Sequence, residues 1–116
     1  MSESPRAAVP NAPGPARHEI PAIDTAALEA ARAADRLLAA AKAFDNDRWT
    51  RYLTPLPDQL RDEPMPALRS VARRARGAYG PKDSIRDSLP EDVTEPFLEA
   101  IDRLLKAIAR DEAHRG

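Results

Sequence analysis

Large apolar residues recur at helical spacing over residues 95–112, and this is the clearest pattern in the chain. They are Phe97, Leu98, Ile101, Leu104, Leu105 and Ile108. At about 100° per residue, these positions fill an arc of the helical wheel roughly 120° wide, and charged residues cover the opposite side. The pattern predicts an amphipathic helix whose apolar face must be covered by other parts of the chain.

Two further long helices are predicted upstream of this segment. Residues 26–44 carry a stripe dominated by alanine, which consists of Ala27, Ala30, Ala34, Leu37, Leu38, Ala41 and Phe44. Small side chains let a neighbouring helix approach closely, so we expect this helix to pack along the last one. Residues 65–79 form another amphipathic segment, which Gly80 and Pro81 bring to an end.

Shorter elements are expected between the long helices. Asn46 can end the first helix, and Asp47 can cap a short helix over residues 48–53. Pro55 permits another helical turn that continues to Leu60. Two capping-box sequences, which begin at Ser88 and Asp92, are both compatible with the start of the last helix.

The N-terminal segment differs from the rest of the chain. Residues 1–23 contain five of the twelve prolines and show no helical or strand period, which is typical of a disordered tail rich in Pro and Ala. No segment alternates in the manner of a strand. The sequence therefore predicts an all-α fold over residues 24–116, a small helical bundle of three main helices with one or two short helices, preceded by the tail.

Composition narrows the possible classes of protein. The net charge of −1 provides no overall field toward nucleic acid or an anionic membrane. The chain contains no cysteine, which excludes disulfides, thiolate nucleophiles and zinc–thiolate sites. It lacks an apolar run long enough for a signal peptide or a membrane span, so we expect a cytoplasmic protein without membrane contact.

Few residues are suited to catalysis. His18 lies in the predicted tail and His114 lies near the C-terminus, so neither is expected to be held for acid–base chemistry. No spacing indicates a metal site or a nucleophile with its base. The sequence therefore predicts a protein that is not an enzyme and that has no cofactor or metal.

Charge is unevenly distributed along the chain. Residues 64–88 contain six basic and two acidic residues, whereas residues 89–116 contain four basic and seven acidic ones. On the last helix, Glu99 with Arg103 and Asp102 with Lys106 have the i,i+4 spacing of favourable ion pairs. The two regions have opposite net charge, so they can pair within one chain or between two copies.

The basic region contains four candidate contact residues. Arg69, Arg73 and Arg76 fall within about 60° of one another along one edge of the apolar face of the 65–79 helix, and Lys82 follows it. Three interpretations compete: a solvated helix face paired with the acidic last helix, a phosphate or nucleic-acid contact, and docking to an acidic protein. No DNA-binding motif accompanies these arginines.

Trp49 and Tyr52 are the other candidate residues. Two of only five aromatic residues stand in this short segment, where Arg48 and Arg51 flank them. They either fill the core between the first and third long helices or form an exposed anchor, since Trp, Tyr and Arg are enriched at interfaces. An exposed anchor would place them in a contact with a partner.

Two principal hypotheses for function follow. The first is a non-catalytic helical adaptor or regulatory module that acts through protein–protein contact, with a homodimer as one form of that contact. The alternative is a nucleic-acid-associated regulator that uses the basic edge of the 65–79 helix. A small-molecule pocket near the aromatic pair is a third hypothesis.

Overall fold

The computed structural model describes residues 16–81 and 84–115, and in these residues all the regular structure is helical. The α-helices are α1 Pro21–Ala43, α2 Asp47–Leu53, α3 Leu56–Asp62, α4 Met65–Arg76 and α5 Glu91–Arg115. Single 3₁₀ turns occur at Arg17–Glu19, Gly77–Tyr79 and Ile85–Asp87. The prediction of an all-α fold is confirmed.

Helix α5 lies between α1 and α4 and runs antiparallel to both. On one side, Glu29 of α1 faces Arg103 of α5, and the start of α1 lies beside the C-terminal part of α5. On the other side, α4 runs past α5 in the same opposed sense, from an ion pair near the C-terminal end of α5 to one nearer its middle. Helix α3 contacts both α1 and α4 and connects the two sides.

The predicted apolar face of α5 is the centre of the core. Phe97, Ile101, Leu104 and Ile108 are all at most 3% exposed. Residues at the edges of the arc, such as Leu105, are only partly buried. Burial of one such side chain stabilises the folded state by about 1.5–3 kcal/mol, so this face supplies a large share of the stability.

The alanine stripe of α1 is also buried, except at its end. Ala27, Ala30, Ala34 and Ala41 are fully inaccessible to solvent. The prediction that Phe44 shares this face is wrong, because its side chain is 58% exposed. Its backbone N–H still bonds the Ala40 carbonyl, so its position keeps the helical period. Residues 42–44 are all exposed, which indicates that this end of α1 extends beyond the helices that cover the rest of the stripe.

The turn after α1 is shifted by one residue from the prediction. Asp45, not Asn46, takes the left-handed backbone conformation, with φ of 52°. The Asn46 side chain instead caps α2 by accepting a hydrogen bond from the backbone N–H of Trp49. Both residue types favour caps and turns, which explains why the sequence pattern located the turn but not its register.

Helix α1 begins at Pro21, before the predicted first turn at Ala26, and Ile23 is completely buried within it. The assignment of residues 21–23 to the tail is therefore wrong. Proline is tolerated at the first helical position, and Arg17 stabilises this start through a 2.9 Å ion pair with Asp24. Residues 1–15 of the predicted disordered tail lie outside the described residues.

The other long helices also differ from prediction at their ends. Helix α4 ends at Arg76, and the three residues through Tyr79 form a 3₁₀ turn, as the weak helix propensity of Gly77 favours. Helix α5 begins at Glu91, between the two predicted capping-box residues Ser88 and Asp92, so Pro96 lies inside the helix. None of the described helices combines the length and the apolar character that a membrane crossing requires.

Candidate protein-contact surfaces

Two of the three arginines on the predicted basic edge of α4 form ion pairs with α5. Arg69 Nη1 lies 3.0 Å from a carboxylate oxygen of Glu112, and Arg76 Nε lies 3.0 Å from one of Asp102. The side chains of both pairs are between 42% and 47% exposed, so each pair contributes little net stability. The charge difference between the two regions is thus partly neutralised within one chain.

Arg73 is the arginine of this edge that makes no ion pair with the described residues. Its side chain is exposed and lines a shallow cleft of about 290 Å³ between α4 and α5, whose apolar wall includes Leu105 and Ile108. Lys82, the fourth basic candidate, lies outside the described residues. The predicted role of Lys82 therefore stays a prediction.

The aromatic candidates pack against each other and against the helical core. The rings of Trp49 and Tyr52 meet edge to face with centroids 5.3 Å apart, and Trp49 is only 5% exposed. Tyr52 is half-buried, and its hydroxyl donates a 3.0 Å hydrogen bond to the Arg74 carbonyl, which connects α2 to α4. Burial raises the pKa of Tyr52, and the nearby Arg74 charge partly opposes that increase.

This arrangement favours a structural role for Trp49. The guanidinium of Arg48 lies 4.9 Å from the centroid of the Trp49 ring and covers it from one side. The indole Nε1 is buried and makes no hydrogen bond in the described part of the chain. In this conformation the indole cannot serve as an exposed anchor, although the partner-binding role predicted for both aromatics stays a prediction.

The connection between α4 and α5 is held by a separate polar cluster. Arg86 donates two hydrogen bonds to the Glu95 carboxylate, at 2.8 and 2.9 Å, and these hold the pKa of Glu95 below its usual value. Tyr79 is buried, and its hydroxyl donates a hydrogen bond to the Thr94 carbonyl. Burial, reinforced by the Glu95 charge, raises the pKa of Tyr79 well above its usual value.

The predicted i,i+4 ion pairs on α5 are not formed. Asp102 instead pairs with Arg76 of α4, while Arg103 faces Glu29 of α1 at 3.9 Å, at the limit of an ion pair. Glu99 and Lys106 make no ion pair with the described residues. Interhelical partners compete successfully because an exposed i,i+4 pair stabilises a helix by only about 0.3–0.5 kcal/mol.

Sequence reasoning missed a groove between α1 and α5. We call it the basic groove; it encloses about 630 Å³. It is lined by Pro21, Ala22, Thr25, Ala26 and Glu29 of α1 and by Arg103, Lys106, Ala107 and Arg110 of α5. Small apolar side chains contribute much of the lining, and three basic residues stand against a single acidic one.

The basic residues of the groove are available for an external contact. Lys106 and Arg110 are exposed and form no ion pair within the described parts of the chain, and Arg103 has only the distant Glu29. Their i, i+3 and i+7 spacing places them on one side of α5. The spacing of these three basic residues is visible in the sequence. A charge count over residues 89–116 as a whole does not reveal it, because the net charge of that region is negative.

Both histidines of the chain lie at its surface. His18 precedes α1, and the His114 ring contacts the Arg110 carbonyl of its own helix. Within the described residues, no three His, Asp or Glu side chains are grouped so that they could hold a metal ion. Comparisons with protein-family models, with curated proteins and with solved structures find no significant match to this chain.

Proposed function

We propose that this protein is a non-catalytic helical adaptor or regulatory module that acts through protein–protein contact. In this proposal α1, α4 and α5 are the main helices of a bundle, and α2 and α3 are short connecting helices. The observation that carries the proposal is the basic groove. It combines an apolar lining with charged side chains that have no use within the fold.

Several basic residues elsewhere on the bundle differ from those of the groove, because they have acidic partners. Arg69, Arg76 and Arg86 all have acidic partners on α5, and Arg17 pairs with Asp24 at the start of α1. Unpaired basic residues also occur elsewhere on the surface, for example Lys42 and Arg51, but the groove brings three basic residues together beside an apolar lining. Unpaired basic residues around a groove are therefore suited to an external acidic group, which would provide orientation and a faster association rate.

The groove also has the mixed composition of a protein contact. Ala22, Ala26 and Ala107 present small side chains that allow the backbone of a bound segment to come close, while the basic residues stand at the rim. Interfaces commonly combine an apolar centre with a polar rim in this way. The unpaired Arg73, on the other side of α5, could extend the contact but is not required for it.

The proposal can be tested by photo-crosslinking in an extract of the source cells. A benzophenone amino acid at the exposed groove residue Thr25 should crosslink to a specific protein, because the groove would hold that protein against it. The same amino acid at Ser70, an exposed position of α4 outside the groove, is the matched control. Lys106→Glu combined with Arg110→Glu should abolish the Thr25 product.

Equal crosslinking from both positions, or a Thr25 product that survives the double charge reversal, would contradict a specific contact in the groove. Mass spectrometry of the product identifies the bound protein and separates self-contact from contact with another protein. These readouts concern the groove alone and do not depend on knowing the biological process.

The nucleic-acid hypothesis stays a second proposal, with Arg73 as its main residue on the basic edge. Pairing of Arg69 and Arg76 with acids of α5 reduces the charge available for phosphate there. If nucleic acid binds, affinity for duplex DNA or RNA must fall steeply with salt and must weaken on Arg73→Glu. Absence of binding at low ionic strength would reject this alternative.

A further inference from the structure

The exposed face of α5 carries charges of both signs in separate halves. Asp92 and Glu99 lie in its N-terminal half, and Arg103, Lys106 and Arg110 lie in its C-terminal half. All five side chains are exposed, and on a helical wheel they fall within about 60° of one another. A row along one line of the helix therefore changes from acidic to basic near its middle.

The row is also symmetric in position. Asp92 and Arg110 stand at equal distances on either side of Ile101, and so do Glu99 and Arg103. If a second α5 lies antiparallel against this face with a two-fold axis at the level of Ile101, each acidic residue meets a basic residue of the other copy. The two-fold axis repeats every such pair, so the contact is self-complementary.

We propose that the partner in the basic groove is a second copy of this chain, bound as an antiparallel dimer across α5. This inference rests on the proposed function and specifies its partner. The acidic half of α5 in one copy lies along the rim of the basic groove in the other, and the reverse contact forms at the same time. Asp92 thereby pairs with Arg110, and Glu99 with Arg103, across the interface.

A second copy accounts for more of the surface than an unrelated acidic protein does. An acidic ligand in the groove would use Lys106 and Arg110 but would leave Asp92 and Glu99 without a role. Glu99 in particular faces solvent although Arg103 follows one helical turn later, because Arg103 turns toward α1. A parallel dimer is disfavoured, since it would place like charges opposite each other.

The composition of this face also determines how such a dimer behaves. Charged residues dominate it, and its apolar contribution comes only from small groove residues such as Ala107 and from the exposed Pro96. Contacts of this kind are weak and are screened by salt. We therefore expect a reversible dimer that forms at high protein concentration and low ionic strength and dissociates in about 0.5 M salt.

A charge-exchange experiment with the full chain tests this model by sedimentation equilibrium. One variant combines Arg103→Glu with Arg110→Glu, and the other combines Asp92→Lys with Glu99→Lys. Each should raise the dissociation constant at least about tenfold because like charges then meet in the homodimer. An equimolar mixture of the two should recover association, since the opposite charges meet again in a heterodimer.

The matched control combines Lys42→Glu with Arg51→Glu. Both residues are exposed, make no ion pair with the described residues and lie in the last turns of α1 and α2, so the change in net charge is the same and the effect on the helix ends is similar. This control should leave the dissociation constant within about twofold of the original value. Circular dichroism of every variant separates loss of folding from loss of association.

The dimer is refuted if the unaltered protein stays monomeric at low salt, if the mixture of charge variants does not associate, or if the control dissociates as readily as the groove variant. The proposed function has a separate outcome. The protein could be monomeric while Thr25 still crosslinks a different protein and charge reversal at Lys106 and Arg110 removes that product. This result would support the adaptor function and reject only the second copy as the partner.

Discussion

The fully buried alanines of α1 make a strong prediction about packing. Ala30 is inaccessible to solvent within the helix that packs most extensively on α5. Ala30→Leu replaces a methyl group with a larger isobutyl group at a position that has no opening to solvent. Forcing extra carbon atoms into a close-packed core costs about 1–3 kcal/mol. A domain of this size has a total stability of only about 5–15 kcal/mol, so the loss is easily measured.

Ala39→Leu is the matched control for this substitution, because Ala39 is exposed on the same helix. Leucine has almost the same helix propensity as alanine, so the control should change the unfolding free energy by less than about 0.5 kcal/mol. Urea denaturation followed by circular dichroism measures both variants. Each kcal/mol lost by Ala30→Leu should lower the melting temperature by about 4–8 °C.

Equal stability of the two variants would refute the reasoning, since it would mean that the helices separate at little cost to admit the larger side chain. A fall in the denaturant dependence of unfolding for Ala30→Leu alone would have a different meaning. That slope follows the surface exposed on unfolding, so its decrease would indicate that the native core had loosened.

Two further predictions concern the cluster that joins α4 to α5. Tyr79→Phe should lower the unfolding free energy at pH 7 by about 0.5–1.5 kcal/mol through loss of a buried hydrogen bond. Above about pH 10 the Tyr79 hydroxyl ionises in the unfolded state but not in the folded state, because its folded pKa is raised, and the native protein loses stability. Tyr79→Phe should therefore reduce this loss. An unchanged fall in stability above about pH 10 would contradict the prediction. For Glu95, the lowered pKa provides stability that is present above about pH 4.5 and disappears as the pH falls through the lower folded value. Glu95→Gln should therefore flatten the acid limb of a stability–pH curve, as should Arg86→Ala, and a steep limb in both variants would show that other carboxylates dominate.

The core of α5 could be predicted from sequence because its pattern is local. Phe97, Ile101, Leu104 and Ile108 repeat with the helical period, and a helix with such a face must bury it in some way. The same argument located the stripe of α1 but failed at Phe44. Periodicity gives the direction of a side chain on its own helix, and it does not show how far the neighbouring helices extend to cover that side chain.

The ion pairs could not be predicted in this way, because they depend on which helices become neighbours. Spacing along α5 indicated that Asp102 would pair with Lys106 and Glu99 with Arg103. In the fold, Arg76 of α4 takes Asp102, and Arg103 turns toward α1. Sequence spacing gives the distance between residues of one helix. The observed partners depend instead on how α1 and α4 pack against α5, each of them antiparallel to it.

The basic groove was missed for the same reason, and its position explains why it is a better candidate site than the edge of α4. The edge lies where α4 meets α5, so acidic residues of α5 approach Arg69 and Arg76 and neutralise them. On the other side of α5, the neighbouring part of α1 offers a single carboxylate and otherwise small, uncharged residues. Lys106 and Arg110 therefore keep their charge available, not because they are more basic but because the helix beside them supplies too few acids.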